Sequence, residues 1–133
     1  AVLGAWILAQ PNKRKAFQEL FANAVERWTS GNHDSDYLES WTAFTGRVTA
    51  ALEELLTRAE GKHVVVFTSG GPITAIAQQC LGLTHDKAFD MNWTLLNAGI
   101  SQLLYNSGGK ISLASCNEQQ HLAQAGKHFV TYR

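Results

Sequence analysis

An α/β fold is what this sequence predicts, on three observations. His63–Phe67 is an unbroken run of β-branched and aromatic residues that leads straight into Thr68, Ser69, Gly70 and Gly71. On both sides of it, apolar residues recur three and four apart, the spacing of helices with one buried face. Near the C-terminus, two strand-like runs flank Asn106-Ser-Gly-Gly109, which reads as an antiparallel hairpin. The His63–Phe67 run is too short for a buried helix and too apolar for a surface loop. Its composition predicts a fully buried strand, in a parallel sheet covered on both faces.

From the N-terminus, residues 1–9 are almost wholly apolar, with Val2, Leu3, Trp6, Ile7 and Leu8, and call for a packing partner. Pro11 opens a helix on which Phe17, Leu20, Phe21, Ala24, Val25 and Trp28 form one stripe. Lys13, Arg14 and Lys15 sit near its start, where positive charge is mildly unfavourable; they read as a solvated face rather than a phosphate or partner patch. Residues 30–34 form a connector. Asp36 and Glu39 have the spacing of a capping box, ahead of a long helix bearing Tyr37, Trp41, Phe44, Val48, Leu52 and Leu55, with Gly61 as its stop. Aromatic residues at that spacing indicate core packing rather than a ligand wall.

After the central turn, residues 73–81 make a short apolar helix ended by Gly82, and Thr84 caps a further helix over residues 86–92. Residues 95–105 and 110–116 are the two hairpin strands, and residues 117–120 a polar loop. The last residues, through Arg133, carry no clear element signal.

The chain's 133 residues suit one domain with a real core. Lys plus Arg and Asp plus Glu both number 11, so the formal charge is zero, which argues against nucleic acid and anionic membranes as partners. Two cysteines, Cys80 and Cys116, stand in no metal-like spacing, and fit a reduced, cytoplasmic setting. No apolar run approaches the length of a membrane span. His33, His63, His85, His121 and His128 never pair at ligand spacing, and no metal or cofactor is implied.

The chemistry concentrates at Thr68–Gly71. Strand, small-residue turn and a proline at the head of a helix would cluster outward-pointing backbone N–H groups at the positive end of the helix dipole, suited to an anion such as phosphate. A tight connection that binds nothing fits the same residues. A nucleotide-binding loop would need a Lys-Ser/Thr pair after the second glycine, and there is none. Ser69 stands at a strand-to-helix elbow as a hydrolase nucleophile does, and Asp86 or Asp90 followed by His121 would complete a triad order. Phe67, in place of the first glycine of that elbow, breaks the pattern.

Val65-Val-Phe-Thr-Ser-Gly-Gly-Pro-Ile73 with Leu81-Gly-Leu83 resembles the strand–Ser-His-Gly-Gly-x-Ile–helix–Leu-Gly-Leu segment of the histidine phosphatase superfamily, the phosphoglycerate mutase-like proteins. Asn97-Ala-Gly-Ile-Ser101 resembles that family's Asn-x-Ser-Val-Thr strand entry, and Asn117 with His121-Leu122 its Asn-Asp-x-x-His-Leu ending. The order and intervening lengths agree over most of the chain. The resemblance implies a three-layer α/β/α fold with a C-terminal antiparallel hairpin, a single partial domain over residues 1–133 that is incomplete at the N-terminus. It implies phosphomonoester hydrolysis or phosphoryl transfer through a phosphohistidine as the parent chemistry.

Two departures qualify that implication. In the family an Arg-His-Gly segment carries the phosphorylated histidine, and no Arg-His-Gly occurs in these residues; Ser69 stands where the family has its second catalytic histidine. A hydroxyl can hydrogen-bond a phosphoryl oxygen but brings no imidazolium charge, and losing such a donor costs about 2–4 kcal/mol in the transition state. Losing the covalent nucleophile as well removes the double-displacement route. The expectation is a family member inactive as this chain alone, with Ser69 at the catalytic position and Thr68, Ser69, Gly70 and Gly71 as the phosphate-binding set. The alternative is a non-catalytic module for a phosphorylated small molecule or a protein partner. In the family fold the Arg-His-Gly strand lies beside residues 63–67, so its absence predicts a homodimer, a swapped assembly or an upstream segment.

Overall fold

The computed structural model describes residues 2–59 and 61–132. Six α-helices and one two-stranded antiparallel sheet are present among them: α1 (Val2–Ala9), α2 (Lys13–Thr29), α3 (Trp41–Arg58), α4 (Gly70–Leu81), α5 (His85–Asn92), β1 (Ile100–Tyr105), β2 (Ile111–Glu118) and α6 (Gln120–Ala125). Short 3₁₀ turns occupy Asp34–Asp36 and Lys127–Phe129. The α/β class and the C-terminal hairpin are as expected. By contact the chain divides into two compact units, one ending at Phe44 and the next beginning at Thr45.

In the first unit, α1 and α2 pack together. Asn12, not Pro11, caps α2: its side-chain oxygen accepts the Lys15 N–H at 3.0 Å. An asparagine one residue past the proline supplies the acceptor that proline lacks, so the helix starts two residues later than Pro11 suggests. The apolar stripe of α2 is largely uncovered. Phe17 and Phe21 stack with ring centroids 6.1 Å apart, yet both remain exposed, while Ala16 and Thr29 are buried. The capping box expected at Asp36 and Glu39 does not head α3, which begins at Trp41. Asp36 pairs with Arg27, and Ser40 caps α3 by accepting the Ala43 N–H at 3.1 Å. Trp28, Trp41 and Phe44 form the aromatic core, with centroids 5.1–5.5 Å apart and Trp41 only 2% exposed. The Trp28 indole N–H donates to the Glu39 carbonyl at 2.8 Å. Core packing is therefore the role of these rings.

In the second unit, Val48 and Leu52 of α3 are buried, as is Ala59 just past its end. Gly61, in the left-handed region at φ +67°, follows that helix as its stop. Helices α4 and α5 pack together, with Ala75, Ala77 and Ala88 buried, and are linked by a buried hydrogen bond from Thr74 Oγ1 to Asn92 Oδ1 at 3.0 Å. Gly82 ends α4 at φ +64°, and the Thr84 side chain caps α5. The hairpin turn is built on Asn106, whose side-chain oxygen accepts the N–H groups of Gly108 and Lys110. Strand β1 begins at Ile100 rather than Leu95, because Ala98 adopts φ +57° and breaks the extended run before it. Strand β2 continues through Glu118, across what reads as the start of a polar loop. The tail returns to the second unit: Leu96 bridges Tyr132, and Asn97 N–H donates to the Thr131 carbonyl at 3.0 Å.

One expectation is overturned. Residues 63–67 form no strand and are not buried. Val64, Val65, Val66 and Phe67 are 43, 80, 57 and 96% exposed. β-branched composition sets a preference for extended backbone, but a strand exists only through a ladder partner. Among the described residues the sheet contains β1 and β2 alone, and neither pairs with this run. At its base the Tyr105 hydroxyl lies within hydrogen-bonding reach of the carbonyls of Ala59 and Lys62 and gives its one proton to either.

Candidate functional site

Residues 68–71 lie where the unpaired run meets α4. The helix begins at Gly70, so Pro72 is its third residue rather than its first. This position is still free of penalty, since the first four N–H groups of a helix have no partner within it. Ser69 is the N-cap, in extended conformation at φ −112° and ψ 176°, and its hydroxyl makes no capping bond. The first turn closes with the Ile73 N–H on the Ser69 carbonyl at 3.4 Å. Among the described residues the N–H groups of Gly70 and Gly71 have no hydrogen-bond acceptor.

Thr68 and Ser69 are exposed, Gly71 is half-buried and Gly70 is buried. The turn therefore holds two unpaired backbone donors beside an uncommitted hydroxyl, at the positive end of a 12-residue helix. No charged side chain occurs between residues 63 and 84, so any anion here would be held by backbone dipoles and hydroxyls alone. A shallow, open depression of about 210 Å³ lies elsewhere, on the hairpin, lined by Leu104, Tyr105, Asn106, Lys110 and Ser112.

The serine triad does not assemble. Asp90 accepts from the Lys87 ammonium at 3.1 Å, and a His121 ring nitrogen meets the Ala98 carbonyl at 2.9 Å. No hydrogen bond links Ser69 to Asp86, Asp90 or His121 among the described residues, which leaves Ser69 without a base to activate it. Cys80 and Cys116 are free thiols, and burial pushes the Cys80 thiol above its ordinary range.

The other two sequence motifs do come together. Asn117 N–H donates to Ser101 Oγ at 3.1 Å, at a point where the β1–β2 register is irregular. The Asn117 side chain accepts the Leu96 N–H at 2.8 Å and donates to the Thr94 carbonyl at 2.9 Å. With His121 on Ala98, these bonds tie the 94–101 segment to the end of β2 and the start of α6. Sequence reasoning finds Asn97, Ser101, Asn117 and His121 as motif members but not this clamp; the signal for it is an asparagine at a left-handed position, φ +58°. Helix α4, which carries the turn, packs against β2.

An α/β chain with a glycine-paired turn heading a helix, followed by an asparagine-clamped hairpin, is the class of protein these elements define. The sequence model of the histidine phosphatase superfamily (branch 1) matches residues 6–119, and the chain belongs to that superfamily. No curated protein and no solved structure matches it.

Proposed function

We propose that this chain binds a phosphorylated small molecule through Thr68, Ser69, Gly70 and Gly71 and does not by itself hydrolyse it. One observation carries the reading: the Gly70 and Gly71 N–H groups, unspent in internal bonding, stand next to an uncommitted Ser69 hydroxyl at the head of α4. The family's parent chemistry is phosphomonoester hydrolysis or phosphoryl transfer through a phosphohistidine. Neither histidine of that chemistry is supplied here: by the resemblance Ser69 stands in place of the charged second histidine, and no Arg-His-Gly, which would carry the nucleophile, occurs in the 133 residues.

Titration with inorganic phosphate and with an aryl phosphate, followed by amide NMR, tests both halves of the proposal. Shifts centred on Gly70 and Gly71, weakened by Ser69→Ala, with no aryl alcohol released, are the expected result. Absence of any shift at residues 68–71 overturns the binding role. Turnover by this chain that Ser69→Ala abolishes would falsify the silent-site reading.

A further inference from the structure

Gln78 ties together the point where α4 gives way to α5. Its carbonyl accepts the N–H groups of Gly82 and Leu83, the latter at 3.1 Å, which closes the C-terminal end of α4. Its side-chain nitrogen lies 3.2 Å from the Leu83 carbonyl and 3.0 Å from His85 Nδ1. A carbonyl can only accept, so the Leu83 contact fixes this end of the Gln78 amide as its NH2 group. The two protons of that group are then both engaged, one by Leu83 and one by His85. An imidazole nitrogen receives such a proton only through a free lone pair, which makes Nδ1 the bare nitrogen and Nε2 the protonated one. In this arrangement the ring is neutral.

We propose that the Gln78–His85 contact is a proton-sensitive latch on the α4–α5 connection, closed when His85 is neutral and open when it is charged. Imidazolium carries a proton on both nitrogens, so its Nδ1–H would meet the Gln78 N–H donor to donor. Turning the amide over would offer its oxygen to the ring, but would set that oxygen against the Leu83 carbonyl. Neither orientation serves both partners, and the connection loses a bond. Because only the neutral ring accepts, this contribution is present at alkaline pH and disappears as acid charges the ring. Helix α4, which packs on α5, carries no Asp, Glu, Lys, Arg or His, and Cys80 is its one titratable side chain. On α5, Asp86 next to His85 favours the cation, the positive end of the helix opposes it, and Lys87 and Asp90 pair with each other at 3.1 Å. The latch lies at the end of α4 away from residues 68–71 and does not rest on the proposed ligand role. Helix α5 stays on α4 in both states through the Thr74–Asn92 bond, so the opening is confined to the connection.

The test is NMR of the whole chain, titrated from about pH 8 to about pH 5, the interval in which imidazole ordinarily takes up its proton. The Gln78 side-chain NH2 signals are expected to move in step with the His85 ring. The Leu83 N–H should exchange with solvent about twofold to tenfold faster at the acidic end, once the intrinsic pH dependence of exchange is divided out, as for the loss of one net hydrogen bond. His85→Asn sets a side-chain oxygen that does not titrate in place of the ring nitrogen and should abolish both responses. Gln78→Met removes the donor and should leave Leu83 indifferent to the charging of His85. The titration of the parent chain needs no substitution, so it reads the latch even where a variant fails to fold. Gln78 signals that stay fixed while His85 charges, an equal response in His85→Asn, or an intact Leu83 response in Gln78→Met each overturns the proposal.

Discussion

The side-chain oxygen of Asn117 lies 2.7 Å from where a Cβ on Gly99 would be. Gly99 is needed for space and not for backbone freedom, since its φ lies outside the left-handed region that marks Ala98 and Asn117. Any side chain at 99 would push out the oxygen that accepts the Leu96 N–H. Gly99→Ala should therefore destabilise the fold by about 1–3 kcal/mol, the range for forcing a methyl group into a filled position. Denaturant unfolding of the variant beside the parent chain measures this, and an unchanged midpoint would show that Asn117 moves aside without cost.

Thr74 and Asn92 form the other internal polar link, and here the prediction turns on leaving a partner behind. Thr74 is fully buried and Asn92 nearly so, with 3.0 Å between the hydroxyl and the side-chain oxygen. Thr74→Val keeps the shape and removes the donor, which strands a buried acceptor between α4 and α5. The expected loss is about 1–3 kcal/mol. Thr74→Ser retains the donor and should keep more of the stability than valine does. Thermal unfolding of the two variants decides: equal midpoints would mean that the methyl group, not the hydrogen bond, matters at this position.

Those two links also show what a sequence can disclose. Helix ends governed by one local rule are legible: Gly82 at a left-handed position, Thr84 as a cap, Gly61 after α3. So is the hairpin, because Asn106-Ser-Gly-Gly109 suits only a turn. Asp36 and Ser40 each offer a cap before α3, and local spacing cannot choose between them. The choice falls to Ser40 because Arg27, distant in sequence, engages Asp36. The 63–67 run fails for a related reason. Its residues state a need for cover and for a ladder, while whether a partner stands alongside depends on other parts of the sheet. At residues 68–71 the sequence discloses a helix start, though the helix begins at Gly70 rather than at Pro72. That Ser69 keeps its hydroxyl uncommitted is a matter of geometry and not of composition.

An uncommitted hydroxyl makes a defined contribution to anion binding. Ser69→Ala should weaken phosphate between about twofold and tenfold, the equivalent of one net hydrogen bond, while the Gly70 and Gly71 donors remain. Ser69→His introduces the histidine that the family resemblance implies at that position and should still yield no phosphatase turnover, because the nucleophile-bearing Arg-His-Gly does not occur in the sequence. A continuous assay with an aryl phosphate reads the second variant and amide NMR the first. Turnover by Ser69→His would show that phosphoryl chemistry at this turn does not need the Arg-His-Gly segment.

Asp36 gives the chain a pH dependence whose direction is fixed by its partner. The Arg27 guanidinium donates to its carboxylate, and that bond, more than the charge attraction, holds the Asp36 carboxyl below the ordinary aspartate value of 3.8. A carboxyl whose folded value is depressed stabilises the fold fully above the unfolded value, and this contribution disappears as pH falls through the folded one. The Tm difference between the parent chain and Asp36→Asn should thus be present at neutral pH and close as the solution is acidified below that range. Both side chains are about half exposed, so the difference should be small and should shrink further in added salt. Arg27 also donates to the Tyr37 hydroxyl at 3.1 Å and lies over that ring, contacts that do not require the Asp36 charge and should limit the loss. Calorimetric scans of both chains at matched ionic strength test this. A gap that widens with acid would mean that Asp36 is held by something other than Arg27.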